Sequence, residues 1–532
     1  MGATLRAVRA LVLLAGFYLL GFVMLGALVA VDWAVAEGGV GSVTAKVWIV
    51  SALLAIPLVQ GMFALRTPKD EPLPGLPVTE QQEPALWAAV RALAEQTGTR
   101  APDEILLTPD VNAAVAEDAT FLGLKPGRRR MYIGLPLMTG LSEPQLQAVL
   151  AHEFGHYTNH DTRLAAITLR GRLQVMRTVA GLHERSRRKV AKEEAKQGKK
   201  HAERLAKGKK ASEVDAGAAG LSYRLAAKPF LWYGTFYLRA SQGVGRRQEL
   251  AADLAAARIA GRDATASALR EIPVLDAAHG FYMQSYATLG TAAGLLPPPG
   301  EVFGGLRHLL AGRADELDEM RRALPEEEQS PYDSHPPIDE RIARIEQLPH
   351  DDNALTGARP ALALLTDPAR SFAELEHSAL TPEAQRLRRA ADWPQLVNES
   401  MLWHADQDAE PLRAAGTEVH GGDGSLAAFL DAVDAGRLWE MADRLPKSKE
   451  AQAATGRATR EFVRPQVRAR LSRMVVAELA RLGRAHWELS WKDAARLRLP
   501  DGYEEELKQA LDAAVADVPD TKGLRRLLSQ TD

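Results

Sequence analysis

The sequence contains no cysteine among its 532 residues. Disulfides, cysteine metal ligands and thiol nucleophiles are all excluded by that one absence. It also suits a chain whose bulk lies in a reducing compartment. An excess of charge of either sign is lacking as well. The 66 basic and 68 acidic residues leave a formal net charge of -2, so nothing draws the whole chain to nucleic acid, and no nucleic-acid partner is expected. What is present in quantity is length. A chain of this size exceeds what one hydrophobic core supports, and two or three domains are expected.

Two long uncharged runs stand near the start. Residues 10–31 have the length that crosses a bilayer as a helix, and residues 47–65 form a slightly shorter run with Pro57 and Gln60 inside it. A proline is tolerated in a membrane helix where neighbours satisfy the freed carbonyl. Arg6 and Arg9 before the first run, with Ala34-Val35-Ala36 after it, resemble a signal peptide, but the run is longer than a usual signal core and reads as an uncleaved anchor. Arg6 and Arg9 precede the first run, and Arg66 and Lys69 follow the second. The loop between the runs holds Asp32, Glu37 and only Lys46. The positive-inside rule then predicts a multi-pass protein of the inner membrane whose large remaining part is cytoplasmic.

Residues 68–77 are rich in proline and read as a linker. Leu86, Val90 and Leu93 give residues 83–96 helical spacing, while residues 103–108 and 130–133 read as short strands. Ser142 followed by Gln145 forms a capping box ahead of a helix that runs to about His160, with Pro144 in its first turn. Residues 162–182 also read as helix. The run 184–210 is crowded with lysine and arginine and reads as a solvated, partly helical loop, with contact to anionic lipid headgroups as the second reading. Residues 229–238 are aromatic and apolar but too short to span a bilayer, so an interfacial or buried helix is expected there. Residues 248–259 form an Ala/Leu helix, and Ile338, Ile342 and Ile345 mark one face of another that opens after Pro337. From about residue 359 the composition is helical, with Gly421–Gly424 and Pro446 dividing it, and no chemical motif stands out.

The sharpest motif is His152-Glu153-Phe154-Gly155-His156. Residues four apart share a helix face, so both imidazoles reach one ion, while Glu153 is offset and suited to take a proton from a metal-activated water. The bland alternative is a surface helix with two histidines, which the capping box and apolar preceding turn disfavour. A catalytic zinc wants three protein ligands. Asn159 and Thr162 stand where a metzincin needs a glycine and a third histidine. His160 is one turn too far and reads as structural or as a partner behind the ligands. Nothing acidic follows between residues 162 and 183, which removes a glutamate ligand at short spacing. The best remaining ligand is Glu249, four residues before Asp253, on a helix whose Ala251, Ala252, Leu254 and Ala255 make it mostly buried. Asp253 is placed to accept from the far nitrogen of a ligating histidine.

With these motifs the chain resembles the HtpX and CAAX-prenyl-protease type of membrane zinc metallopeptidase. Members pair a His-Glu-x-x-His helix with a distant Glu-x-x-x-Asp helix and carry a His-Pro-Pro segment followed by an arginine, matched by His335-Pro336-Pro337 and Arg341. The resemblance covers residues 83–348. It implies one zinc ion held by His152, His156 and Glu249, with Glu153 as general base, and His335 and Arg341 near the substrate carbonyl, where they stabilise the oxyanion. It also implies that Asn112, Ala113, Ala114 and Val115 form an edge strand against which an extended peptide adds. Heat-shock members have further spans between the two metal helices. Here that interval holds the basic run and the short 229–238 segment.

The expected architecture is therefore mainly α with a small β-sheet. A two-span transmembrane anchor occupies residues 1–67, a gluzincin-like metallopeptidase domain residues 68–350, and a helical accessory domain with an unidentified partner residues 359–532. The expected activity is hydrolysis of internal peptide bonds of proteins. The alternative is a catalytically silent membrane scaffold or regulatory protein that retains the fold.

Overall fold

The computed structural model describes residues 2–62, 75–117, 127–158, 178–197, 220–324, 336–350 and 357–529. The chain is mainly helical with small sheets. It divides into two compact units, Met1–Pro273 with Ala323–Thr366, and Val274–Arg322 with Asp367–Asp532.

The first unit begins with a helical hairpin, α1 (Gly2–Glu37) and α2 (Ser42–Met62). Within it, Ala15–Glu37 and Ser42–Gln60 are long and apolar enough to cross a membrane. Ser51 donates a hydrogen bond to Asp32 across the hairpin at 2.7 Å, pairing a polar group of each helix. The sheet follows in the order β1 (Leu76–Val78), β2 (Glu104–Thr108), β4 (Arg129–Gly134), β3 (Ala113–Glu117). β2 and β4 run parallel, and the outer strands are antiparallel to their neighbours. Residues 103–108 and 130–133 are thus strands as expected. β1 falls at the end of the proline-rich stretch, where its three residues are too few to show a period. The buried Arg129–Glu117 pair, 2.9 Å apart, links β3 to β4.

Helices cover the rest of this unit. α3 is Pro84–Gln96, α4 is Leu135–Gly140 and α5 is Glu143–Thr158. Gln145 Oε1 accepts from both the backbone N–H and the hydroxyl of Ser142, which forms the glutamine half of the capping box that the spacing predicts. Helix α6 spans 178–197, so the described part of the basic run is helical. The expected helix ends at Asn159, His160 and Thr162, and the run 198–210, lie outside the described residues.

One difference from expectation is large. The segments 229–238 and 248–259 are parts of a single helix, α7 (Leu221–Ala260), with Pro229 inside it. Proline and the glycines near residue 243 weaken the local helical signal. Burial overrides them: Phe230, Tyr233 and Tyr237 pack against Leu13 and Phe17 of α1 and Leu58 of α2, while Ala252 is buried farther along the helix. α7 makes its most extensive contact with α5. At that crossing a Cβ on Gly155 would stand 3.0 Å from Ala252 Cα and 3.2 Å from its Cβ. Helix α8 (Arg262–Tyr282) then carries the chain out of the first unit, the division falling at Pro273.

The second unit is a helical assembly with two small two-stranded sheets. Its longest helices are Trp393–His420 and Arg457–Arg481, which pack on each other around Leu412, Val467, Leu471 and Val475. Residues of Val274–Arg322 are built into it. Buried Glu376 accepts from the Val302 N–H at 2.6 Å and pairs with Arg389 at 2.8 Å. Trp491 stacks on Tyr286 at 4.8 Å and meets Trp393 edge-on at 5.0 Å.

Replacing Gly155 by valine forces atoms into the α5–α7 crossing, where the nearest neighbour is backbone. The expected cost is about 1–3 kcal/mol, read as a lowered unfolding midpoint in detergent. A stability equal to wild type would show that the crossing is not tightly packed.

Candidate metal centre

Helix spacing and the crossing together build the centre. His152 and His156 lie one turn apart on α5, and Glu249 and Asp253 one turn apart on α7. His152 Nε2 is 3.4 Å from Glu249 Oε2, and His156 Nε2 is 3.7 Å from Glu249 Oε1. One donor atom from each of the three residues lies within 4.8 Å of the others. Donors about 2.0–2.1 Å from a tetrahedral zinc stand about 3.3–3.4 Å from one another. Two imidazoles and a carboxylate are a donor set such an ion takes; the two histidine–glutamate pairs stand near that separation, and the full set lies within 4.8 Å.

The opposite face of His152 is held by α7. Its Nδ1 stands 2.9 Å from Asp253 Oδ1, a close contact that approaches obliquely to the ring N–H. This directs Nε2 toward Glu249 and His156, the arrangement that orients a ligating imidazole. Asp253 is in turn gripped by Arg341 on the helix Ile338–Glu346. Arg341 Nε donates to Oδ2 at 2.9 Å and Nη2 to Oδ1 at 2.7 Å, and both side chains are buried. Phe154 is fully buried next to the histidines, and Glu153 is half-buried.

The titration behaviour follows from these contacts. Burial pushes the His152 imidazole down, yet the adjacent Asp253 and Glu249 carboxylates and the charge of Glu153 outweigh it and raise the pKa to about 9. Burial pushes the Asp253 carboxyl up, but Arg341 and His152 hold it below its ordinary value. Burial disfavours the Arg341 cation as well, and Asp253, Glu249 and Glu153 more than restore it. A metal that took His152 as a ligand would displace its proton.

The fold therefore gathers His152, Glu153, His156, Glu249, Asp253 and Arg341 in one place. Asn112 lies just before β3 and Ala113, Ala114 and Val115 lie within it. β3 ends the sheet order and packs against α5. His335 lies outside the described residues, although Pro337 caps the helix that carries Arg341. What motif reading did not anticipate is the direct Asp253–Arg341 pair. A buried aspartate needs a cationic or donor partner, and that requirement was the available signal. A cleft of about 760 Å³ in the second unit, bordered by Arg413, Arg481 and Arg525, is a poor rival, because all three arginines are paired with nearby acids.

Two helices bring two imidazoles and a carboxylate to a common point, a cluster compatible with a bound metal ion. The chain belongs to Peptidase family M48, whose profile matches residues 80–348 and with it both metal helices and the Arg341 helix. This is the family of HtpX-like membrane zinc metallopeptidases. No curated protein and no solved structure matches the chain.

Replacing Arg341 by alanine leaves Asp253 buried without its cation and is expected to cost about 3–5 kcal/mol, measured by denaturant unfolding. The Asp253 contribution has a definite pH sign. It is fully present above the ordinary carboxylate value of 3.8 and is lost as pH falls through the lower folded-state value. Wild type should therefore lose stability faster than Asp253→Asn as pH falls below about 4. Parallel curves would remove the pair from the acid response.

Proposed function

We propose that this chain is a membrane-anchored zinc endopeptidase that hydrolyses internal peptide bonds of proteins. The observation that carries the reading is the convergence of His152, His156 and Glu249 within 4.8 Å, with Glu153 adjoining. In this reading His152, His156 and Glu249 hold one zinc ion, which supplies Lewis acidity for the carbonyl and for water. Glu153 takes a proton from the attacking water and returns it to the leaving amine. Asp253 and Arg341 keep His152 in the ligating tautomer. Arg341 and His335 also supply positive or donor character toward the developing oxyanion. The electrostatic influence of Glu249 and Glu153 on Arg341 supports its share of that role. The substrate is taken to lie extended beside residues 112–115. The terminal position of β3 and its packing on α5 support this.

The proposed layout keeps residues 1–67 as the anchor, 68–350 as the peptidase and 359–532 as a helical accessory region for a partner yet to be found. Arg6, Arg9, Arg66 and Lys69 support a cytoplasmic peptidase on the inner membrane. Outward-facing Phe22, Val23, Val29, Ile49 and Ile56 on α1 and α2 support the anchor, since water would meet a large apolar surface there.

Glu153→Gln should retain zinc while peptide cleavage falls about 10²–10⁴-fold. Glu249→Ala should lose both zinc and activity, and chelation of wild type should abolish cleavage until zinc is restored. Metal content and cleavage of a casein-type substrate measure both. Full activity of Glu153→Gln would remove the mechanism, and a zinc-loaded wild type that cuts no protein would favour the silent scaffold.

A further inference from the structure

The α1–α2 hairpin carries two charges where most of its surface is apolar. Asp32 Oδ1 on α1 accepts from the Ser51 hydroxyl of α2 at 2.7 Å, and the Trp48 indole N–H donates to the Asp32 carbonyl at 3.5 Å. Lys46 stands two residues before Trp48 on α2. Trp33 and Trp48 are exposed at this level, Trp33 to 70%. Exposed tryptophans of a membrane hairpin mark the boundary between headgroups and hydrocarbon. Asp32 and Lys46 therefore stand near headgroup height, toward the loop that joins the two helices.

Beside them a groove of about 350 Å³ opens between α1 and α2. Leu28 and Val31 on one side and Val47, Val50 and Leu54 on the other form its apolar walls. Lys46 is the lining residue nearest the start of α2, and Asp32 is bonded to Ser51, which also lines the groove. Leu28 lies one turn farther from the loop than Asp32, and Leu54 one turn farther than Val50. The groove thus leads from two charges at one end into an apolar slot at the other. Neither Asp32 nor Lys46 has an ion-pair partner among the described residues. A charge left without a counter-ion at the edge of hydrocarbon is costly, so the mouth of the groove favours an occupant that supplies both signs.

The chemistry narrows that occupant. An acyl chain gains little by entering the slot, because it leaves one apolar environment for another. Selection must then come from the headgroup. One anion and one cation at the same end match a zwitterion. A phosphate meets the Lys46 ammonium, and a primary ammonium donates to the Asp32 carboxylate, which Ser51 holds across the hairpin. A choline headgroup has no N–H to donate. A glycerol headgroup brings no cation and leaves Asp32 facing a net negative lipid.

We propose that the groove between α1 and α2 binds one ethanolamine-type phospholipid, with its phosphate on Lys46, its ammonium on Asp32 and an acyl chain along Leu28, Val50 and Leu54. This rests on the membrane-anchored reading of α1 and α2. A lipid held by both charges sets the depth at which the loop end of the hairpin sits.

The test uses full-length protein, stripped of lipid in mild detergent. It is offered an equimolar mixture of phosphatidylethanolamine, phosphatidylcholine and phosphatidylglycerol with identical acyl chains. Native mass spectrometry reads which lipid is bound first. The expected result is the ethanolamine lipid several-fold over either competitor. Asp32→Asn keeps an oxygen for Ser51 but removes the charge, and should bring the ethanolamine-to-choline ratio close to one. Lys46→Gln should lower first-lipid occupancy for all three. Glu37→Gln, which changes an acid of α1 that does not line the groove, should alter neither. Equal occupancy by the three lipids would overturn the inference. So would a preference that survives Asp32→Asn, an occupancy unchanged in Lys46→Gln, or a preference lost equally in Glu37→Gln. A lipid-free dimer would overturn it in favour of a second copy covering the groove. Alkaline washing of vesicles tests the anchor separately. Wild type that washes out of the bilayer would overturn the anchor and the inference together, whereas wild type that stays without lipid preference would overturn the inference alone.

Discussion

The close approach of α5 to α7 is the constraint on which the metal centre depends. Gly155 offers no side chain, and Ala252 opposite it offers only a methyl group, so the two helices meet nearly backbone to backbone. Only at that separation can short reaches from both helices converge. His152 and His156 come from one side and Glu249 from the other, with 3.4 Å and 3.7 Å between donor atoms. A larger residue at the crossing would part the helices and the ligand set together. The capping of α5 by Ser142 and Gln145 and the continuity of α7 through Pro229 serve the same end, because each sets where on its helix the crossing falls.

Electrostatics then determines what the centre holds. Three carboxylates, Glu153, Glu249 and Asp253, surround His152, and Arg341 neutralises chiefly Asp253 through two hydrogen bonds. The remaining negative charge is concentrated where the imidazole nitrogens point. A buried site of that composition attracts cations, and the raised affinity of His152 for a proton expresses the same attraction. Arg341 strengthens the arrangement indirectly. By holding Asp253 it constrains the ring of His152, so a residue on a third helix bears on the orientation of this imidazole.

The same helix that carries Glu249 and Asp253 packs its other half on the apolar hairpin. Buried tyrosine and phenylalanine side chains make that junction, which gives α7 a firm grip at both ends. The second unit is also less separate in sequence than composition suggests. Residues 274–322 fall within the family match yet pack with the C-terminal helices through Glu376, Trp393 and Trp491.

Several features were legible from local pattern alone. The His-Glu-x-x-His spacing, the capping box, the two uncharged runs and the Glu-x-x-x-Asp repeat each depend on residues a turn or a span apart, and helix periodicity makes such relations readable. Absence was equally informative: no cysteine, and no acid or histidine at the metzincin or short-spacer positions. Glu249 could be named because its helix is rich in alanine, but the 92 intervening positions carry no signal of where it meets His156.

The unbroken length of α7, the pairing of Asp253 with Arg341 and the joining of 274–322 to the C-terminal helices lay beyond sequence. Each arises from burial between segments distant in the chain. Proline and glycine weaken a helix locally, and only tertiary packing shows that the weakness is outweighed. By itself the sequence determined which groups could bind a metal and take a proton. The tertiary structure decided that they meet, because two helices carry small residues where they cross.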